Sequence, residues 1–214
     1  MSERTIRADR ASGTREAILG TAERLFAEHG VHAVSNRQIS EVAGQGNNAA
    51  VNYHFGTKTD LVRAIMRKHT ARIEVLRARM ADALPAEPGL RDWVGCLVRP
   101  SFSYLDELGA PSWFARFSAQ IMTDPALREI MVTESLSSPV LVRAVDGLDR
   151  CLPELPPEVR AERSDMVREL MIHLTAERER ALAEGTPTPR TSWADAGTGL
   201  IDGITGLMLA PVTR

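Results

Sequence analysis

The chain has 214 residues, 43% hydrophobic and 25% charged, and a net charge of −2. That is the balance of a soluble globular protein large enough for one large or two small domains. No apolar run approaches the roughly 20 residues needed to span a bilayer, and the N-terminus lacks an apolar signal-peptide core, so the expectation is a cytoplasmic protein with no membrane partner.

The charge is unevenly placed. Residues 1–80 carry 13 Lys/Arg against 8 Asp/Glu, and residues 81–214 carry 13 against 20. A basic N-terminal part beside an acidic remainder suits a polyanion-binding head on a different body, although solvated helix faces produce such asymmetry too. Two cysteines, Cys96 and Cys151, form no CxxC pair and fit buried apolar positions in a reducing compartment. There is no GxSxG, no Gly-rich phosphate loop, no HExxH and no Cys/His cluster, so no catalytic site, cofactor or metal is expected.

In chain order, residues 1–13 are polar, with Arg4, Arg7 and Arg10, and read as a flexible arm. A helix from Thr14 to His29 follows, with Ile18, Ala22, Leu25 and Phe26 on its buried stripe and Gly30 ending it. His29 and His32 have a ligand-like spacing, but Gly30 breaks the helix between them and no carboxylate or thiol joins them.

Ser35 to Phe55, SNRQISEVAGQGNNAAVNYHF, reads as two short helices joined by a tight turn. Ser35 and Gln38 form a capping box, so a helix starts at Asn36, and Gly44 offers the positive φ that ends it. Asn47 is a good N-cap for a second helix over Asn48 to Tyr53, with Val51 inward and Asn48, Asn52 and Tyr53 outward. A short polar-faced helix set across another is the shape that enters a DNA major groove, and an ordinary helical hairpin has the same pattern.

Gly56 then ends that helix, and Thr57 with Asp60 caps the next, Lys58 to Ala83. Val62, Ile65, Met66, His69, Ile73, Leu76 and Met80 form its apolar stripe. At 1.5 Å per residue it is about 39 Å long, enough to bridge two domains. His69 on this stripe is either a core histidine satisfied by a neighbour or a ligand contact. Beyond the 84–89 loop come a helix from Leu90 to Leu108 that Pro100 kinks or splits, one from Pro111, and one from Asp124-Pro125 to Arg150 with a kink at Pro139. After the 152–157 loop come Glu158 to Glu184 and Trp193 to Ala210. No stretch alternates with period two. The expected fold is all-α, about nine helices: a flexible arm 1–13, a helix-turn-helix head 14–57, and a larger helical body 58–214.

The segments TREAILGTAERLFAEHG, SNRQISEVAG and NYHFGTKTDLV resemble the TetR family of bacterial transcriptional regulators. The resemblance covers Thr14 to Met66, and its ordered set of amphipathic helix, Ala43-Gly44 turn, Tyr53-His54-Phe55-Gly56 and Lys58 is specific. One departure stands out. Eight residues, QGNNAAVN, separate Gly44 from Tyr53 where the commoner pattern has seven; a subset of the family with Asn-Asn at the start of this helix looks similar. The resemblance implies a DNA-binding three-helix head, a ligand-binding body, a homodimer joined through the last two helices, and repression relieved by a small molecule.

By the family pattern, Arg37, Tyr53, His54 and Lys58 would hold DNA phosphates; surface charge and core packing are their ordinary alternatives. Asn48 and Asn52 stand one helical turn apart and suit the amide pairing with adenine, while Ala50 is small enough to meet a thymine methyl. The expected partners are therefore double-stranded operator DNA, a second copy of the chain, and an effector. The dimer interface is expected at Met166, Leu170, His173 and Leu174, with Leu200, Ile201, Ile204 and Met208 from the last helix, which looks too apolar for an exposed surface. Six of the ten aromatic residues fall between Trp93 and Phe117. They are either ordinary core or the walls of an apolar effector pocket, expected at Met66, His69, Trp93, Phe102, Trp113 and Phe117. The readings of another kind are a helical carrier or enzyme without DNA binding, and an activator of the same fold.

Overall fold

The computed structural model describes the backbone of residues 3–45 and 49–212, with side chains from residue 12 onward. These residues form ten helices and no strand: α1 Glu3–His29, α2 Asn36–Val42, α3 Ala50–Phe55, α4 Lys58–Asp82, α5 Leu90–Leu108, α6 Phe114–Met122, α7 Pro125–Leu136, α8 Pro139–Arg150, α9 Pro157–Glu184 and α10 Trp193–Leu209. Among them no helix is long and apolar enough to cross a membrane.

Four of the expected helices differ by two residues or more in their bounds. First, α1 begins at Glu3 rather than Thr14, because residues 3–13 contain no proline and a single glycine among residues that tolerate helix. Second, Pro139 does not kink one long helix but starts a new one. Ser138 is extended, at φ −85° and ψ 115°, and its hydroxyl accepts from Leu141 N–H. Proline disfavours helix in the residue before it and fits the first helical position, so one expected helix becomes two. Third, α3 starts at Ala50, two residues later than read. Fourth, α6 starts at Phe114 and not at Pro111, because Trp113 is not yet helical, at φ −134° and ψ −4°.

Pro100 behaves differently, since α5 runs through it unbroken. A proline inside a helix leaves the carbonyl four residues back without a donor. That carbonyl belongs to Cys96, and the buried Arg77 guanidinium of α4 donates to it and to Leu97 O at 3.1 Å. Glu74 neutralises Arg77 at 2.8 Å. A charge from the bridging helix thus supplies the bond that proline removes and seals α4 to α5.

The buried apolar residues form one continuous cluster from head to body. α10 lies on α5, and α6 lies between α1 and α9. Glu179 of α9, 2% exposed, stands in for the missing cap of α6. Its carboxylate accepts from the backbone N–H groups of Ala115 and Arg116 at 3.2 and 2.9 Å. These are orphan donors of a helix start, to which a carboxylate is well matched.

Candidate functional site

The head presents α3 outward from a firm base. The Ser35 capping box is formed: Gln38 N–H donates to Ser35 Oγ at 3.2 Å, and Ser35 N–H to Gln38 Oε1 at 2.8 Å. Gly44 and Gly56 take the positive φ values, 68° and 77°, that end α2 and α3. Val51 is fully buried, and Tyr53 is 84% exposed. Asn52 is exposed and His54 half-buried. The Tyr53 and His54 rings meet edge to face at 5.1 Å. An exposed aromatic hydroxyl, an amide and an imidazole on one short helix are groups that reach DNA phosphates and base edges.

The base-reading set changes. Ala50 is buried in the head, 8% exposed, and is not a surface methyl. Ala50 stands next to the inward Val51, about 100° round the helix at 3.6 residues per turn, and falls on its buried side, while Ala49 is exposed. Asn52 keeps its place, but its Oδ1 accepts from Asn36 Nδ2 at 2.7 Å. The acceptor half of a bidentate amide is therefore engaged across α2 and α3, and reading adenine requires its release. Asn47 and Asn48 lie outside the described residues.

The phosphate set divides as well. Arg37 is open to solvent and pairs with Glu41 at 2.7 Å, which raises its pKa further. Such surface pairs are weak and easily exchanged for a phosphate. Lys58 is turned inward instead: its Nζ donates to Val34 O at 2.6 Å and Val31 O at 3.1 Å. It ties the α1–α2 connection to α4, because two unpaired carbonyls in a bend are a closer partner than solvent. The start of α4 is capped by Thr57 and Asp60. Asp60 is held below the usual carboxylate range, first by the Thr57 hydroxyl. Sequence missed Arg15, whose guanidinium lies 4.9 Å over the Phe55 ring beside α3; nothing in helical spacing marks that contact.

The body holds a half-open cavity of about 750 Å³ lined by α4 to α10, a size suited to a small-molecule ligand. Of the expected pocket residues only Met66 lines it. The aromatics pack helices together instead. Trp93 covers Gly147 of α8, where an added Cβ would come within 2.3 Å of the indole. Phe102 meets Trp193 of α10 at 5.7 Å, and Phe117 stacks on Phe26 of α1 at 6.2 Å. Trp113 sits half-buried before α6. His69 is a core histidine. Its Nδ1 is 2.7 Å from the Tyr104 hydroxyl and its Nε2 is 2.9 Å from Glu23 Oε2. Burial pushes Tyr104 up to about 12, so the phenol keeps its proton, and because a carboxylate only accepts, Nε2–H donates to Glu23. Phe114 stacks on His69 at 4.0 Å and also lines the cavity.

The expected interface residues fall into two groups. Met166, Leu170 and Leu174 are 41%, 37% and 49% exposed and stand four apart on α9, with exposed His173 beside them bonded to Glu169 at 3.1 Å. Ile201 and Ile204 are fully buried, and Leu200 and Met208 nearly so, within their own chain. The apolar face of α10 is spent on α5.

Two family models match: "Bacterial regulatory proteins, tetR family" over residues 18–65 and "Tetracyclin repressor-like, C-terminal domain" over residues 95–206. The HTH-type transcriptional repressor AcnR of Corynebacterium glutamicum is 27% identical over 66% of this chain and 70% of its own length. AcnR of Corynebacterium efficiens is 28% identical over 71% and 76%. Among solved structures, NalD, the secondary repressor of the MexAB-OprM multidrug efflux pump in Pseudomonas aeruginosa, superposes with a TM-score of 0.59 at 21% identity, over 95% of this chain and all of that one, and so shares the fold. The chain belongs to the TetR family of bacterial regulatory proteins: it is a DNA-binding transcriptional regulator, not an enzyme.

Proposed function

We propose that this regulator is a repressor that binds a roughly palindromic operator as a homodimer and leaves it when a small, mainly apolar effector fills the cavity. The observation that carries this reading is a shared side chain. Phe114 lines the cavity and stacks on His69, and His69 is bonded to Glu23 of α1. One residue separates the cavity wall from a helix of the head. An effector that displaces Phe114 therefore acts on α1 and α4 together, and through them on the spacing of the two α3 helices in a dimer. The exposed stripe Met166, Leu170 and Leu174 supports α9 as the dimer contact. Operator binding places the protein with the chromosome, in the cytoplasm.

The test is selection of bound DNA from a random pool, then anisotropy titration of the selected site. A two-fold-symmetric site is expected, with affinity falling steeply as salt rises. Transcription from the promoter carrying that site rises when the regulator is deleted. A fall on deletion makes the protein an activator, and retention of no duplex at moderate salt rejects the operator altogether. Coupling between the sites is reciprocal, so operator DNA weakens effector binding by the factor with which effector weakens DNA binding.

A further inference from the structure

From the shape and charge of the cavity we infer that its ligand is a long aliphatic molecule ending in a carboxylate. This rests on the effector reading above. The shape comes first. One face of α9 lines the cavity from Pro157 to Thr175. At 1.5 Å per residue that is about 27 Å of wall. A volume of about 750 Å³ spread over such a length is a channel, not a sphere.

The chemistry of the wall fits a chain better than a ring. Met66, Met131, Met171 and Met208 all line it, and Phe114 is its one aromatic residue. Thioether side chains adapt to flexible aliphatic ligands. Flat aromatic cations seek open aromatic faces, and one face of Phe114 is already covered by His69.

The charges decide the headgroup. Five ionised residues line the cavity: Glu74, Arg77, Asp149, Arg160 and Arg168. Glu74 and Arg77 neutralise one another; Ser138 bonds the second oxygen of Glu74, and Arg77 Nη1 donates to Cys96 O and Leu97 O. Arg160 stands 3.9 Å from Asp149, beyond hydrogen-bond reach. Arg168 pairs with Asp165 through one Nη, but its Nε is buried without an acceptor. A buried donor without a partner is costly, and an ionised acceptor satisfies it best. Among the charged side chains of the wall, the unspent donors are thus both guanidinium groups, two turns apart on α9, beside the neutral hydroxyls of Thr70, Ser101 and Ser135. A carboxylate at Arg168 with its chain along the methionines uses both the donor and the channel.

Isothermal titration of the full-length protein with octanoate, decanoate and dodecanoate tests this, with decanol and decyltrimethylammonium as chain-matched controls. Burial of each added methylene should tighten binding about fourfold. Decanoate should bind at least tenfold more tightly than either control, and Arg168→Met should remove that margin while leaving decanol affinity unchanged. Arg160→Met provides a second variant at the same face. Equal binding of the three decyl compounds, or preference for the cation, overturns the carboxylate; no dependence on chain length overturns the channel, as does no binding by any of them. Carboxylate binding that leaves operator affinity unchanged upholds this inference and rejects the effector role.

Discussion

Replacing His69 with Phe isolates the buried bond that joins head to body. The ring is 1% exposed, between Glu23 at 6% and Tyr104 at 7%. Phenylalanine keeps the bulk and the stacking on Phe114 but removes both hydrogen-bonding nitrogens. Glu23 then has no donor, and breaking a buried pair from one side costs about 3–5 kcal/mol. Tyr104 also loses its hydrogen-bond partner, a further cost of about 1–3 kcal/mol when the hydroxyl stays dry. We expect His69→Phe to lose about 4–8 kcal/mol, a large part of a stability of about 5–15 kcal/mol. The sharper measurement is the double variant Glu23→Leu with His69→Phe. It removes both partners, so it should recover about 2–3 kcal/mol relative to the sum of the single changes. The assay is urea denaturation at one protein concentration, since assembly shifts the midpoint. A double variant whose loss equals the sum of the two single losses would falsify the coupling.

Three further outcomes follow from exposure and pairing. Tyr53→Ala should leave the denaturation midpoint within about 0.5 kcal/mol of wild type, as expected of an exposed site, while anisotropy shows weaker operator binding at every salt concentration; unchanged affinity removes Tyr53 from the interface. Leu174→Glu should sediment as a folded monomer, because a half-exposed position accepts a charge in the monomer but not in an apolar contact, and a persistent dimer moves the interface off this stripe. His32 bonds Asp124 at 2.6 Å and, as the largest cause, holds its carboxyl below the ordinary value. A carboxyl lower in the folded state adds stability above the usual carboxylate range and loses it as pH falls through the depressed value. Carboxyl NMR of His32→Ala should therefore show Asp124 titrating at higher pH than in wild type, and an unmoved titration means His32 is not the cause.

What was legible in the sequence depended on how far apart the interacting residues lie in the chain. The capping boxes at Ser35 and Thr57 are complete within four residues, and both formed. Gly44 and Gly56 end their helices for equally local reasons. Proline was half legible. Its effect on Ser138 is local, but the survival of α5 through Pro100 depends on Arg77, 23 positions earlier in the chain and on another helix. Periodicity marks which face of a helix is apolar and says nothing of what covers it. That is why Leu200, Ile201, Ile204 and Met208 of α10 looked like an interface and are buried in their own chain, and why Trp93, Phe102 and Phe117 looked like pocket walls and are packing. Lys58 shows the same limit for charge. A lysine at a helix start has the pattern of a phosphate contact, yet the carbonyls of Val31 and Val34 reach it first. The cavity was hardest to see, because a cavity is what side chains from seven helices leave unfilled, and no single helix carries its signature.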